Sequence, residues 1–475
     1  MALSRFKIDN KMKKILSITM LAIFAFAASI QTSNAQTAFK VPNYEKFTLK
    51  NGLTIYMMEQ HEVPTISISM VIPAGAIYDG NKNGLASFTA NGLKYGTKNL
   101  TKSQIEEQLD FLGASLNTYS SKEYAGLSSK FAKNDQDKVL PIIKEVLLNP
   151  IFNQQEFDKE KARALQNLTR AKESPRNVIN NYWDKFIYGD HPYANPVGGK
   201  TSTLKDITTS DLKSFYAKNY VPNGSAIAIV GDFNSKTMKD KISDLFKDWK
   251  KGDGNSLKII EPDALPNKAR VLLINKDDAR ETTMLIGGKG IRRDNPDFVA
   301  IEVINTVLGG RFTSMLNDEL RVNSGLTYGA RSSFSSLKNA GTFNVSTFTA
   351  TKTTEPTIDK ALEVLKKIHD KGIDDETLTS AKNYVNGQFP PDYETSGQLA
   401  GLLTQMFWYG FNESYINNFQ ANVNGLTSAK AKEIIAKYFP YENLQFLFVG
   451  KADDIKKIVE KLGPVTIKEI KADGF

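Results

Sequence analysis

The chain has 475 residues, a formal net charge of +9, three histidines and no cysteine. Without cysteine there is no disulfide, thiol nucleophile, iron–sulfur cluster or thiolate zinc site, and imidazole chemistry rests on His61, His191 and His369 alone. With 41% hydrophobic and 24% charged residues the composition is that of a globular protein with material for several cores.

The first 35 residues read as a secretory signal. Lys11, Lys13 and Lys14 precede the apolar run Ile15 to Ala28, and Ser33-Asn34-Ala35 is a small-x-small cleavage site before Gln36. Translation starts at Met1 or Met12 with the same mature chain. The segment carries +4 of the +9, leaving +5. The lysines of the mature chain are scattered along helical stretches as solvated faces, so no nucleic-acid partner is expected. No later run reaches the ~18 apolar residues of a membrane span. The expectation is an exported, periplasmic protein with no membrane span after signal cleavage.

Next in order, Asn51-Gly52 is a type I′ turn pair between Phe47-Thr48-Leu49 and Leu53-Thr54-Ile55-Tyr56, predicting a hairpin over Phe47 to Glu59. Thr65 to Ile72 alternates as a strand. Gly84 to Tyr95 and Ser103 to Leu112 have helical spacing, Ser115 to Phe131 is strand-like, and Asp137 to Leu148 and Glu156 to Lys172 are helical. Ala217 to Gly231 and Ala436 to Gly450 are each 15 residues long, leave a helix end and close on an apolar strand, with a Thr-initiated helix before and an amphipathic helix after. The period of 219 residues is too long for a solenoid and signals duplication of a whole domain. Between the copies, the segment 251–268 holds Gly252, Gly254, Pro262 and Pro266 and reads as a linker. The expected organisation is a signal over 1–35, an N-terminal domain over 36–250, the linker, and a C-terminal domain over 269–475.

Two stretches carry the chemistry. The first is Gly84-Leu85-Ala86-Ser87-Phe88-Thr89-Ala90-Asn91-Gly92, followed by Gly96-Thr97 and Leu112-Gly113-Ala114-Ser115-Leu116-Asn117. The second is Gly290-Ile291, Asp294-Asn295-Pro296-Asp297, Leu308-Gly309-Gly310-Arg311-Phe312, and Leu320-Arg321 through Gly325-Leu326-Thr327-Tyr328-Gly329. Together they resemble the insulinase, pitrilysin and mitochondrial processing peptidase family over nearly the whole mature chain. Active members carry H-x-x-E-H in the first helix, where two His four apart reach one metal and the Glu between them activates water. Here those positions are Ser87, Ala90 and Asn91, and the family's third ligand, a Glu about 76 residues beyond the second His, falls on Asn167. A hydroxyl, a methyl and two amides are a poor zinc set. The resemblance therefore implies no metal in this chain.

The resemblance also implies that Arg321 and Tyr328, seven residues apart, hold substrate backbone and stabilise the tetrahedral intermediate. Gly309 and Gly310 stand where the processing peptidases have a substrate-guiding glycine loop; a helix C-terminus followed by a turn is the alternative for this short copy. His191, in His191-Pro192-Tyr193, is structural, and His61 and His369 are surface or satisfied polar groups. Gly198-Gly199-Lys200-Thr201 lacks the first glycine and the leading strand of a phosphate loop, and there is no G-x-S-x-G elbow.

The fold implied is α+β: two duplicated metallohydrolase-like domains, each an antiparallel sheet packed with helices, forming half of a four-domain clamshell. The function implied is that of a metallopeptidase subunit, silent alone, acting on unfolded peptides with a homologous zinc-bearing partner; zinc is expected in that partner only. The alternative is a catalytically silent binding or scaffold protein of the same fold.

Overall fold

The computed structural model describes residues 39–252 and 261–471; the expected signal over 1–35 and residues 253–260 of the expected linker lie outside them. The first sheet contains β1 (Glu45–Thr48), β2 (Thr54–Glu59), β3 (Thr65–Ile72), β4 (Ser115–Ser120), β5 (Ala125–Ala132) and β6 (Ala226–Gly231), in the order β1-β2-β6-β3-β5-β4. The second contains β7 (Arg270–Asn275), β8 (Glu281–Lys289), β9 (Ala330–Ser336), β10 (Gly341–Ala350), β11 (Gln445–Gly450) and β12 (Val465–Glu469), in the order β12-β7-β11-β8-β10-β9. Five strands repeat in the same order, so the duplication read from the 15-residue segments is one of whole sheets, with β6 and β11 central in each.

The expected antiparallel sheets are in fact mixed. β2 runs parallel to β6, and β7 parallel to both β11 and β12. Parallel pairing needs a long crossover, and here each crossover is nearly the whole domain between the two strands. The sixth strand breaks the repeat: β1 joins β2 through the expected hairpin, whereas β12 arrives from the far end of the chain. The turn is not the expected type I′ pair, since Gly52 is at φ +91 but Asn51 is not at positive φ, and Gly52 N donates to Leu49 O at 2.8 Å.

One face of each sheet packs on its own helices. On the first, Ile55, Met57, Ile66, Ile68, Leu127 and Ile227 meet helices that include Leu85–Gly92 (α1) and Gln154–Ala171 (α2). The opposite faces are covered by exchange. Helix α3 (Pro175–Tyr188), from the first half, lays Val178, Ile179, Tyr182 and Trp183 on Leu272 and Ile274 of β7, Leu447 and Val449 of β11 and Leu285 of β8. A second-half helix, Ser396–Tyr409, returns the contact on β3 and β6, with Ser69 Oγ 3.0 Å from Thr404 Oγ1 and Ser67 Oγ 2.9 Å from Ser396 Oγ. Residues 41–475 accordingly form one compact unit.

Polar groups seal the joint. Glu123, 1% exposed, accepts from Tyr193 Oη at 2.5 Å, Lys338 N at 3.0 Å and Trp408 Nε1 at 3.4 Å, tying the His-Pro-Tyr loop to the second half. Burial, and the carboxylate beside it, push the Tyr193 phenol up, so it stays a donor. No helix among the described residues is long and apolar enough to cross a membrane.

Candidate functional site

The degenerate metal position sits on α1. Gly84, at φ +97, turns the chain into the helix, and the buried Asp79 carboxylate accepts from Gly84 N at 2.8 Å and Ala86 N at 2.7 Å, satisfying its first donors. Phe88 packs edge-on against Phe157 of α2 at 5.4 Å. In this frame Ser87 and Asn91 are half-buried, Ala90 is fully buried and Asn167 is exposed on α2. Ala90 has no proton acceptor, and the remaining donors are a hydroxyl and amides, so these residues do not fit a zinc ion. No three His, Asp or Glu side chains gather as a metal-ligating group among the described residues.

The histidines are apart and engaged. His61 Nδ1 is 2.6 Å from Asp232 Oδ1 and its Nε2 3.1 Å from Glu59 Oε2. Both partners are acceptors, so the imidazolium fits best, and hydrogen bonding to Asp232 and then Glu59 raises its pKa. His191 Nδ1 accepts from Tyr193 N at 3.1 Å. His369 Nε2 bonds the Phe439 carbonyl and its ring lies 4.1 Å from Tyr441.

In the second half, helix α4 (Phe298–Asn305) runs on into a π-helical turn over Thr306–Gly310. Gly309 and Gly310 thus belong to a helical turn and form no open loop. A Cβ on Gly309 would stand 2.2 Å from Ser332 N of β9, and Asn305 bonds Ser332 twice, through Nδ2 to its carbonyl at 3.1 Å and from its hydroxyl at 2.6 Å. Glycine is needed there for close helix-to-strand packing.

Arg321 lies in the helical turn Asp318–Asn323, stacked on the Phe312 ring at 4.7 Å, and makes no ion pair among the described residues. Tyr328 is 83% exposed and Phe312 66%. The backbone that presents Tyr328 is pinned: Thr347 Oγ1 donates to Gly329 O at 3.0 Å, Thr349 Oγ1 to Leu326 O at 2.6 Å, and Thr327 Oγ1 accepts from Gly329 N at 3.1 Å. Tyr328 is thus an exposed aromatic on a constrained segment. The threonines were not singled out from sequence; their alternation along β10 was the available signal.

Beside Tyr328 opens a cleft of about 870 Å³, whose walls include Gly309, Gly310, Arg331 and, from α3, Arg176. It lies where α3 stops covering the second sheet: β7, β11 and β8 are under the helix, while β10 and β9 leave Asn344, Ser346, Arg331 and Ser333 open. The corresponding face of the first sheet lies beside α5 (Ser396–Tyr409), and there Tyr119 of β4 lies across Gly126 of β5 and continues through Tyr124 to Trp408 of α5 at ring distances of 6.5 and 5.2 Å.

Comparison with known proteins matches two successive stretches of the chain. Residues 54–201 match the family model described as "Insulinase (Peptidase family M16)", and residues 206–385 the one described as "Peptidase M16 inactive domain". The chain is 25% identical over 417 residues to the "Non-peptidase homolog YmxG" of Helicobacter pylori, covering 86% of this chain and 93% of that one. It is 23% identical over 353 residues to an "Uncharacterized zinc protease YmxG" of Bacillus subtilis, covering 74% and 85%. A crystal structure of a peptidase M16 inactive domain from Pseudomonas fluorescens superposes with a TM-score of 0.81 at 26% identity, over 86% of this chain and 98% of that one. With both halves matched in order and the fold shared, this chain belongs to the insulinase family of M16 peptidases and carries that family's inactive-type second domain.

Proposed function

We propose that this chain is the metal-free subunit of a heteromeric zinc peptidase of its family, exported to the periplasm, and that it lends Arg321 and Tyr328 to an active site whose zinc is held by a homologous partner. The observation that supports this reading is the exposure of Tyr328 on a pinned backbone, seven residues after an arginine that makes no ion pair among the described residues, in a chain with Ser87, Ala90, Asn91 and Asn167 at the positions expected for metal ligands.

In the closed complex the Tyr328 hydroxyl donates to the oxygen of the peptide carbonyl under attack, and the Arg321 guanidinium, always charged and rich in donors, holds the neighbouring backbone. This chain's share of catalysis is orientation and oxyanion stabilisation; metal and nucleophile are the partner's. The substrates are unfolded peptides able to enter a chamber between the two chains. Two domains here and two in the partner complete a four-domain clamshell.

The test is co-expression with a zinc-bearing homologue encoded by the same host, followed by sedimentation and peptide cleavage. The expected result is a stable pair burying well above about 1,000 Å² and cleaving peptides that neither chain cleaves alone. Two independent monomers, or cleavage by the partner at full rate without this chain, would overturn it in favour of a silent binding protein.

A further inference from the structure

The cleft beside Tyr328 has a chemistry that catalysis by Arg321 and Tyr328 does not require. Two arginines reach it from different elements, Arg331 from the edge strand β9 and Arg176 from the first turn of α3, and no Asp or Glu is among its walls. Arg331 is exposed, with no ion pair or side-chain hydrogen bond among the described residues. Its cross-strand neighbour is Ser346 of β10, so it stands on the open polar face with Asn344 and Ser333. The Arg176 guanidinium carbon stands 3.5 Å from the centre of the Phe348 ring, and its Nη2 donates to Glu281 Oε2 at 3.3 Å. Both members of that pair are 52% exposed, so it is easily exchanged for a better acceptor. Asn180, one turn after Arg176, adds an amide to the same wall. The positive end of α3 adds to the field there.

We propose that this cleft is a recognition site for peptide carboxylates, with Arg331 as principal anchor and Arg176 as second. A carboxylate accepts two parallel N–H donors from a guanidinium in a fork geometry that a neutral amide cannot match. The adjoining polar face of β9 and β10 supplies hydroxyl and amide partners for the peptide backbone. The site selects chains bearing Asp, Glu or a free C-terminus and sets them beside Tyr328. As a statement about substrate it rests on the peptidase reading; as a binding site it stands alone.

The experiment uses the purified full chain without a partner and four labelled, unstructured peptides of equal length: one with Glu and Asp side chains and an amidated C-terminus, one neutral with a free C-terminal carboxylate, one neutral and amidated, and one Lys-bearing and amidated. Fluorescence anisotropy is expected to rank at least one carboxylate peptide about tenfold or more above the neutral amidated one, the worth of one charge-assisted hydrogen bond. Which of the two wins separates side-chain from terminal carboxylates. Arg331→Gln should remove about tenfold of that advantage, and Arg176→Gln part of it. Lys130→Gln, on the corresponding face of the first sheet, should leave it unchanged. Equal affinity for all four peptides, or an Arg331→Gln chain that melts and binds like the parent, would overturn the proposal. If the mixed complex cleaves with no preference for carboxylates, this inference falls and the peptidase reading stands. If carboxylates bind through Arg331 and no zinc-bearing partner assembles, the reverse holds.

Discussion

The two halves of this chain share a strand order and differ in what they leave open. In the first, Tyr119 lies over Gly126 on the face that α5 leaves uncovered, and helix α1 offers no metal ligand. In the second, the corresponding face is an arginine-lined cleft beside an exposed tyrosine. A duplicated fold gives each copy the same scaffold and separate freedom to lose a site. On the proposed reading this asymmetry is that of a split active site, with the substrate half-site at Arg321 and Tyr328 in this chain and the metal half-site in a partner.

The largest effect that sharpens this comparison is catalytic. In the mixed complex, Tyr328→Phe should lower turnover by about 100- to 1,000-fold, or about 2.7 to 4 kcal/mol, as loss of an oxyanion donor does, with assembly unchanged. Tyr119→Phe, the aromatic on the first half's face, should stay within about twofold. Equal effects at the two tyrosines would break the comparison.

The next effect is on stability. Gly309→Ala forces a methyl to 2.2 Å from the Ser332 backbone nitrogen and should cost about 1–3 kcal/mol or more. Gly126→Ala meets only the far end of the Tyr119 side chain, which can swing aside, and should cost less. Urea melts of both variants check the order.

Helix starts differ in the same way. Asp79→Ala strands two buried N–H groups at the head of α1 and should cost about 1–3 kcal/mol. Asp297→Ala, at the head of α4, should cost less, since Asp297 makes no cap hydrogen bond there and instead accepts from Tyr438 Oη at 2.9 Å. Thermal melts of the pair test this.

The smallest effect is on pH dependence. His61 has a raised folded pKa, so its contribution is complete below its ordinary value of 6.5 and is lost as pH rises through the folded value. His61→Asn should therefore lower the melting temperature more at about pH 5.5 than at about pH 8.5. A pH-independent loss would contradict the imidazolium assignment.

These contrasts follow how far local sequence reaches. The hairpin around Asn51-Gly52, though not its turn type, and the alternation of Thr65 to Ile72 are local patterns and were legible. The duplication was legible because β6 and β11 repeat with their flanking helices. What was not legible is non-local. The apolar stripe of Pro175–Tyr188 announces a buried face but not that the face belongs to the other half's sheet. Parallel pairing of β2 with β6 leaves no periodicity in either strand. Arg176 and Arg331 are 155 positions apart in the sequence and meet only because α3 covers part of the second sheet and ends. The glycine pair ends a helix, as one of its two readings had it, but the sequence does not show the cause, the backbone of β9 pressed against that helix.

The most direct test of the account is zinc content. The purified chain, loaded with zinc and gently dialysed, should retain none, and its complex with the zinc-bearing homologue should hold about one ion per pair. About one zinc per isolated chain, together with peptide cleavage by that chain alone, would contradict the division of the site between two subunits.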